Sequence, residues 1–443
     1  METDQASLSE PAGTALLTDH YELTMVRAAL RSGTAGRRAV FEMFARHLPN
    51  GRRYGVVAGT GRLLDALEQF RFGDSELEFL ERARIADAPT LEFLRNYRFS
   101  GDIWGYAEGE CYFPGSPILV VEGTFAEAVI LETLALSIYN HDSAIASAAS
   151  RMVEAAHGRP LVEMGSRRTH ERAAIAAARA AYIAGFATTS NLRAGYQYGL
   201  PTSGTSAHAF TLVHDGEKQA FAAQLDALGP GTTLLVDTFE VADAIATAVE
   251  LAGPELGAIR IDSGDLAVVA REARAQLDSL GATKTRIILT GDLDEFSIAA
   301  LAAEPVDGYG VGTSLVTGSG APTCAFVYKL VARADSNEPR PLRPVAKRSV
   351  GKPSRGGRKW AVRRLDQAGS AAAEVVTDYE PTSGNDSRPL LQLLVRGGEI
   401  LAREPISAAR ARHRAVVSEL PAYAHQLSRG YPAIPTVFEP DRD

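Results

Sequence analysis

The segment "GAIRIDSGDLAVVAREARAQLDSLGATKTRIILTGDLDEFSIAALAAE" (257–304) decides the architecture. It holds two short apolar runs, "AIRI" and "RIILT", and each ends in Asp, Gly, Ser or Thr where a helical pattern begins. The same grammar extends outward in both directions. "PLVEMGS" (160–166) precedes the alanine-rich stretch "RAAIAAARAAYIAGF" (172–186), "TTLLVDTFE" (232–240) precedes "VADAIATAVELAG", and "VDGYGVGTS" (306–314) closes the series. Strand ends recur roughly every 20 to 30 residues, about the length of one βα unit. Apolar strands joined by crossover helices predict a parallel sheet, either doubly wound or a (β/α) barrel. No GxGxxG fingerprint follows the first strand, which favours the barrel.

The flanks read differently. Residues 1 to 15 are polar and acidic, as expected of a disordered tail, and "LLTDHYELTMVRAAL" opens a helix in which Asp19 and Glu22 have capping-box spacing. "RAVFEMFAR" (38–46) reads as a strand, two helical patterns lie between about 60 and 97, and residues 97–123 read as several short strands. From Thr124 to Gly158 the period is helical, as one long helix or two. These shifts predict an N-terminal α/β domain over 1–123 and a barrel over 124–330. A C-terminal segment, 331–443, follows; its basic stretch (347–364) precedes strands that partly complete the first domain.

Composition excludes several classes. The 443 residues are 45% hydrophobic and 23% charged, ordinary for a globular chain, and the net charge of -8 gives no reason to expect nucleic-acid or membrane binding. Two cysteines, Cys111 and Cys324, make no disulfide framework or zinc motif and suit a reducing cytoplasm. The alanine-rich stretch carries Arg172 and Arg179 and is too weakly apolar for a membrane span.

In parallel α/β architectures ligands bind at the C-terminal strand ends. That rule selects Glu163, Gly165, Arg167, Arg168, Asp237, Asp262, Ser263, Asp265, Gly291, Asp292, Asp294, Gly310, Gly312, Thr313 and Ser314. Helix capping is a sufficient explanation for any single aspartate among them. Arginines beside carboxylates and tight glycine turns point instead to a phosphorylated ligand, with Mg2+ between phosphate and carboxylate. His208, after the polar run "LPTSGTSA" (200–207), is by itself only a loop imidazole.

The motifs "LLTDHYELTM", "FEMFARHLPNGRRYGVVAG", "EMGSRRTHERAA", "GFATTSNL", "GTSAHAF", "LLVDTFE", "RIDSGDL", "TGDLDEFSI" and "GYGVGTSLVTG" occur in that order. Through them the chain resembles the nicotinate phosphoribosyltransferases of the actinobacterial kind over nearly its whole length. The resemblance implies a type II phosphoribosyltransferase fold, an irregular TIM-like (β/α) barrel beside an N-terminal α/β domain completed by C-terminal strands. It implies Mg2+-dependent condensation of nicotinate with phosphoribosyl pyrophosphate to nicotinate mononucleotide and pyrophosphate. That step is coupled to ATP hydrolysis through a phosphohistidine, in a cytoplasmic homodimer with shared active sites.

By the same resemblance His208 is the phosphorylated histidine and Asp237 the carboxylate that orients it. Arg167 lies near the substrate ring and phosphoribosyl group, and Tyr21 stacks on the pyridine from the partner subunit. Arg260 and Asp262 surround the ribose and Mg2+, with Asp262 as metal ligand. Gly291, Asp292, Gly310, Gly312 and Thr313 form the loops around the 5'-phosphate. Two positions depart from nicotinamide-using relatives. Ser190 stands where those carry an aspartate, and Met164 where those carry a second stacking aromatic. A serine hydroxyl donates to a carboxylate that an aspartate repels, which favours nicotinate over nicotinamide. Quinolinate, with a second carboxylate, calls for more arginines. A non-catalytic phosphoribosyl-ligand sensor predicts a damaged set of these residues, and a Schiff-base aldolase needs a strand-end lysine that the rim lacks.

Overall fold

The structure is a computed structural model and describes residues 13–338, 341–347, 354–384 and 386–439. The chain divides into two compact units: one holds the chain up to Ala144 and from Thr323 onward, and the other runs from Ile145 to Pro322.

The second unit contains the alternating series. Its strands Leu161–Glu163, Thr188–Thr189, Thr233–Leu235, Ala258–Ile261, Arg286–Leu289 and Gly308–Val311 form one six-stranded sheet. Every pairing in it is parallel. In order along the chain the strands lie 2-1-6-5-4-3, so the first strand sits beside the last. The second and third strands are the two edges, and the sheet is a parallel half-barrel that does not close into a ring among the described residues. Ile259, Ile261, Ile287, Leu289 and Val311 are completely buried, which is why these strands read as continuous apolar runs. The helices follow as the pattern predicts, with Asp265 capping Leu266–Ser279 and Asp294 capping Glu295–Ala300 through bonds of 3.2 and 2.7 Å.

The first unit is built on an antiparallel sheet of seven strands among the described residues. Their order is Arg343–Pro344, Phe326–Arg333, Arg38–Ala45, Leu119–Thr124, Asp102–Tyr106, Leu391–Arg396 and Glu399–Ile400. Three strands from the N-terminal part of the chain are therefore flanked on both sides by pairs from the C-terminal part. The strand Arg38–Ala45 is buried along nearly its whole length, and Phe41 stacks on Tyr328 at 5.0 Å. A second sheet, of four strands, contains Trp360–Leu365 and Ala371–Thr377, where Arg363 lies opposite Glu374. Both side chains are fully buried and 2.8 Å apart. Tyr106 donates its hydroxyl to the other Glu374 oxygen at 2.9 Å. Three helices, Thr60–Glu68, Asp74–Arg82 and Ala88–Arg95, occupy the region where the periodicity indicates two. After Thr124 there are also two helices, Phe125–Val129 and Glu132–Ala155.

Two local expectations need correction. Thr14 donates its N–H to Gln69 O at 3.1 Å and Ala15 is buried, so the chain is already fixed at the end of the expected tail; residues 1–12 lie outside those described. The capping box at Asp19 does not form. The Glu22 carboxylate instead accepts from the Thr133 N–H and hydroxyl at 2.8 and 2.6 Å, and from Thr18. Buried, it serves a tertiary contact that spacing within one helix cannot reveal. Cys111 and Cys324 are free and buried. Among the described residues no helix is long and apolar enough to cross a membrane. Part of the basic stretch, 348–353, lies outside the described residues.

His413, on the helix Ile406–Ser418, is buried and its Nδ1 lies 3.1 Å from Gly109 O. Burial pushes the imidazole down to about 4, against smaller opposing effects of the Gly109 carbonyl and Glu110. The fold thus favours the neutral ring, and the unfolded chain takes up the proton first as pH falls below about 6.5. This contribution to stability is complete above that pH and is lost progressively down to pH 4, amounting to about 3 kcal/mol. Urea midpoints are expected to fall between pH 7 and 5 more steeply for the wild type than for His413→Asn. Parallel slopes would contradict the assignment.

Candidate active site

The C-terminal ends of the parallel strands gather most of the residues that the sequence singles out. Asp237 follows Thr233–Leu235, and its side chain is only 2% exposed. One carboxylate oxygen accepts from the Asp262 N–H at 2.9 Å and the Ser263 hydroxyl at 2.7 Å. The other, Oδ1, is buried without a hydrogen-bond partner. A buried acceptor left unpaired is costly, which marks it as waiting for a donor.

An imidazole lies close to it without closing a hydrogen bond. His208 is the first residue of the short helix His208–Leu212, with its side chain 41% exposed. Its Nε2 is 3.9 Å from Asp237 Oδ1, beyond hydrogen-bond length, while its Nδ1 is 3.2 Å from the Thr238 hydroxyl. One ring nitrogen thus faces the carboxylate and the other the threonine hydroxyl.

Arg260 sits in the neighbouring strand, 8% exposed, and donates to the hydroxyl of Thr205 and, at 3.3 Å, to Ser206 O. It therefore grips the loop that leads into His208. Its Nε is buried and unpartnered. Burial lowers its proton affinity, Asp262 and Asp237 oppose that, and Arg167 adds to it.

Asp262 accepts from the Thr290 hydroxyl through Oδ1, and its other oxygen has no hydrogen-bond partner among the described residues. Unlike Asp265 and Asp294 it caps no helix. No cluster of three metal-ligating side chains occurs among the described residues. A single free carboxylate oxygen suits Mg2+, which keeps waters and phosphate oxygens as its other ligands.

The glycines of the rim are required by close approach. A Cβ at Gly291 (φ +109°) would lie 2.3 Å from Asp262 O, and one at Gly310 would lie 2.6 Å from the Thr290 side chain and 2.7 Å from Met164 Sδ. Asp292 itself has φ +45°, and Gly312 and exposed Thr313 open the short helix Thr313–Val316. Beside the strand Gly308–Val311 lie Leu161–Glu163 and then Thr188–Thr189; Arg167 and Ser190, each just past the end of one of them, are exposed. Tyr21 belongs to the other compact unit, on the helix His20–Ser32, and is 46% exposed. Partial burial, with Glu132 and Glu22 nearby, pushes its phenol up to about 12. Thr205, Thr238 and Thr290 are contacts that the sequence did not single out. Their only sequence signal is adjacency to named residues, as in "VDT" and "LTGD".

A family model described as the nicotinate phosphoribosyltransferase N-terminal domain matches residues 16–140. The nicotinate phosphoribosyltransferase pncB1 of Mycobacterium tuberculosis (strain H37Rv) is 60% identical over 437 residues, 96% of this chain and 95% of that protein. The chain belongs to the nicotinate phosphoribosyltransferase family. A Bacillus subtilis nicotinate phosphoribosyltransferase is 37% identical over 72% of this chain and 66% of its own length. The crystal structure of human nicotinic acid phosphoribosyltransferase superposes with a TM-score of 0.81, at 26% identity over 96% of this chain and 97% of that one. Membership explains the alternating sheet and the ordered motifs together, since this family's name already describes a phosphoribosyl transfer.

Proposed function

We propose that the strand-end rim joins nicotinate to phosphoribosyl pyrophosphate, giving nicotinate mononucleotide and pyrophosphate. The pyridine nitrogen forms a bond to ribose C1 as the C1–oxygen bond to pyrophosphate breaks. The observation that carries this reading is the convergence of Arg260, Asp262, Asp237 and His208 at one rim in a chain of this family. Arg260 and Arg167 bind phosphate and ribose oxygens electrostatically, and the tight turns at Gly291–Asp292 and Gly310–Thr313 leave room for the 5'-phosphate. Ser190 donates to the nicotinate carboxylate, and Tyr21 of a partner subunit stacks on the ring. Asp262 would hold Mg2+, which supplies charge neutralisation for the departing pyrophosphate.

ATP is the cosubstrate of a second step. The His208 imidazole takes the γ-phosphoryl group, with the bond to ADP breaking as the N–P bond forms, while Asp237 fixes the opposite ring N–H. A phosphorylated His208 adds about two negative charges. Arg260 is positioned to receive that charge through the loop it already grips. The strand order 2-1-6-5-4-3 is compatible with an irregular (β/α) barrel opened between its second and third strands. A cytoplasmic homodimer completes the reading.

The test is an assay with nicotinate, phosphoribosyl pyrophosphate and Mg2+, with and without ATP, alongside nicotinamide and quinolinate. Nicotinate mononucleotide is expected from nicotinate, with turnover stimulated by ATP and little product from the other two pyridines. No nicotinate mononucleotide in either condition overturns the reading.

A further inference from the structure

Glu163 ends the first strand of the parallel sheet and is fully buried, yet no arginine or lysine pairs with it among the described residues. Its carboxylate is held by two hydrogen bonds. The Gly165 N–H donates to Oε1 and the Thr189 hydroxyl to Oε2, each at 2.5 Å. Thr189 is its direct cross-strand neighbour. The next residue, Ser190, donates its N–H to the Glu163 carbonyl at 2.8 Å.

The bonds close into a circuit. Thr189 Oγ1 accepts from the Asn191 N–H at 3.0 Å, and Asn191 Nδ2 donates to Ser166 Oγ at 2.9 Å. Ser166 directly follows Gly165, whose N–H returns to Glu163. Ser190 lies inside this ring of bonds, and Arg167 leaves it at the next position. The turn is also pressed from behind, since a Cβ at Gly165 would lie 2.1 Å from Val316 Cγ1 and 3.2 Å from Gly312 O.

An apolar pair would fill a buried cross-strand position at lower cost than an anion without a counter-charge. What the carboxylate adds is two acceptors of fixed direction, one for each loop. We infer that Glu163 is a positioning residue for pyridine recognition, its carboxylate locking the Arg167 turn to the strand end that carries Ser190. This rests on the assignment of Ser190 and Arg167 to the nicotinate site proposed above. Glu163 touches no substrate itself. It sets the separation between the hydroxyl and the guanidinium that meet the nicotinate carboxylate and the phosphoribosyl group.

Thr189→Val removes the hydroxyl at constant volume, and Glu163→Gln keeps the shape but replaces one acceptor with a donor. Both are expected to raise the KM for nicotinate about tenfold, the worth of one well-placed hydrogen bond. The KM for phosphoribosyl pyrophosphate stays within about twofold and the preference for nicotinate over nicotinamide falls, as misplacement of one recognition group requires. Thr189→Ser, which keeps the hydroxyl, restores both values. A Thr189→Val enzyme with the wild-type nicotinate KM overturns the inference. So does an equal rise in both KM values with a parallel loss of thermal stability, or a Thr189→Ser no better than the valine variant. A wild-type chain that makes no nicotinate mononucleotide is a different failure, because it removes the functional reading itself.

Discussion

In a His208→Ala variant, ATP hydrolysis accompanying nicotinate mononucleotide formation is expected to fall to background, while slow transfer persists. The geometry behind this is the pairing of an exposed imidazole with a buried, unpartnered carboxylate oxygen 3.9 Å away. Removing the ring removes the proposed phosphoryl acceptor, but leaves Arg260, Asp262 and the glycine turns in place for the proposed uncoupled condensation. Asp237→Asn is the companion variant. Its ring loses the carboxylate that selects one tautomer, and the coupled rate is expected to fall by on the order of 10²- to 10⁴-fold. Phosphate release measured against product, with acid-labile label from γ-labelled ATP as a second readout, separates the cases. Stoichiometric ATP hydrolysis by His208→Ala would remove the histidine from the mechanism.

The largest stability effect is expected far from that chemistry, at Glu374. Arg363 and Glu374 are both 0% exposed, and the guanidinium also donates to Cys111 O at 2.9 Å. Glu110 lies 3.7 Å from Arg363 and receives Arg388 at 2.6 Å, which in turn reaches Glu419 at 2.8 Å. Truncating Glu374 leaves the buried guanidinium with only Glu110, 3.7 Å away and already paired with Arg388, so Glu374→Ala should cost about 3–5 kcal/mol. Replacing both with apolar residues of similar volume (Arg363→Met with Glu374→Leu) should recover most of that loss, because it removes the desolvated charges together. Urea unfolding of the two variants reads this directly. A double variant less stable than Glu374→Ala would show that the pair itself is worth more than its burial costs.

The parallel half-barrel was legible because its signal is local. Five of its six strands are short, mostly apolar runs that end shortly before a helix, as at Asp265 and Asp294. The exception, Thr188–Thr189, is two threonines with no apolar signal and was not legible. The rim followed from the rule that loops converge at strand ends. Sequence could not separate the aspartates that cap helices from those that do not; the structure does, with Asp265 and Asp294 as caps, Asp262 bonded to Thr290 and Asp237 Oδ1 unpartnered. The role of His208 came from resemblance, since nothing local in "GTSAHAF" distinguishes it from a solvated loop. Threonines 205, 238 and 290 were missed for a related reason. Their partners are distant in sequence, and a hydroxyl leaves no periodic trace. Glu22 illustrates the converse, a local pattern overruled by a partner more than a hundred residues away.

The flanking of the N-terminal strands by C-terminal ones in the seven-stranded sheet has a consequence for synthesis. Arg38–Ala45 pairs on one side with Phe326–Arg333, and Asp102–Tyr106 pairs with Leu391–Arg396. At ribosomal rates of about 5–20 residues per second, the strand ending at Ala45 waits on the order of 15–60 s for the partner beginning at Phe326. The contiguous unit from Ile145 to Pro322 emerges whole within that interval. A nascent chain of this protein thus carries an apolar, half-paired sheet edge until nearly the end of translation, a period in which a chaperone has something to hold.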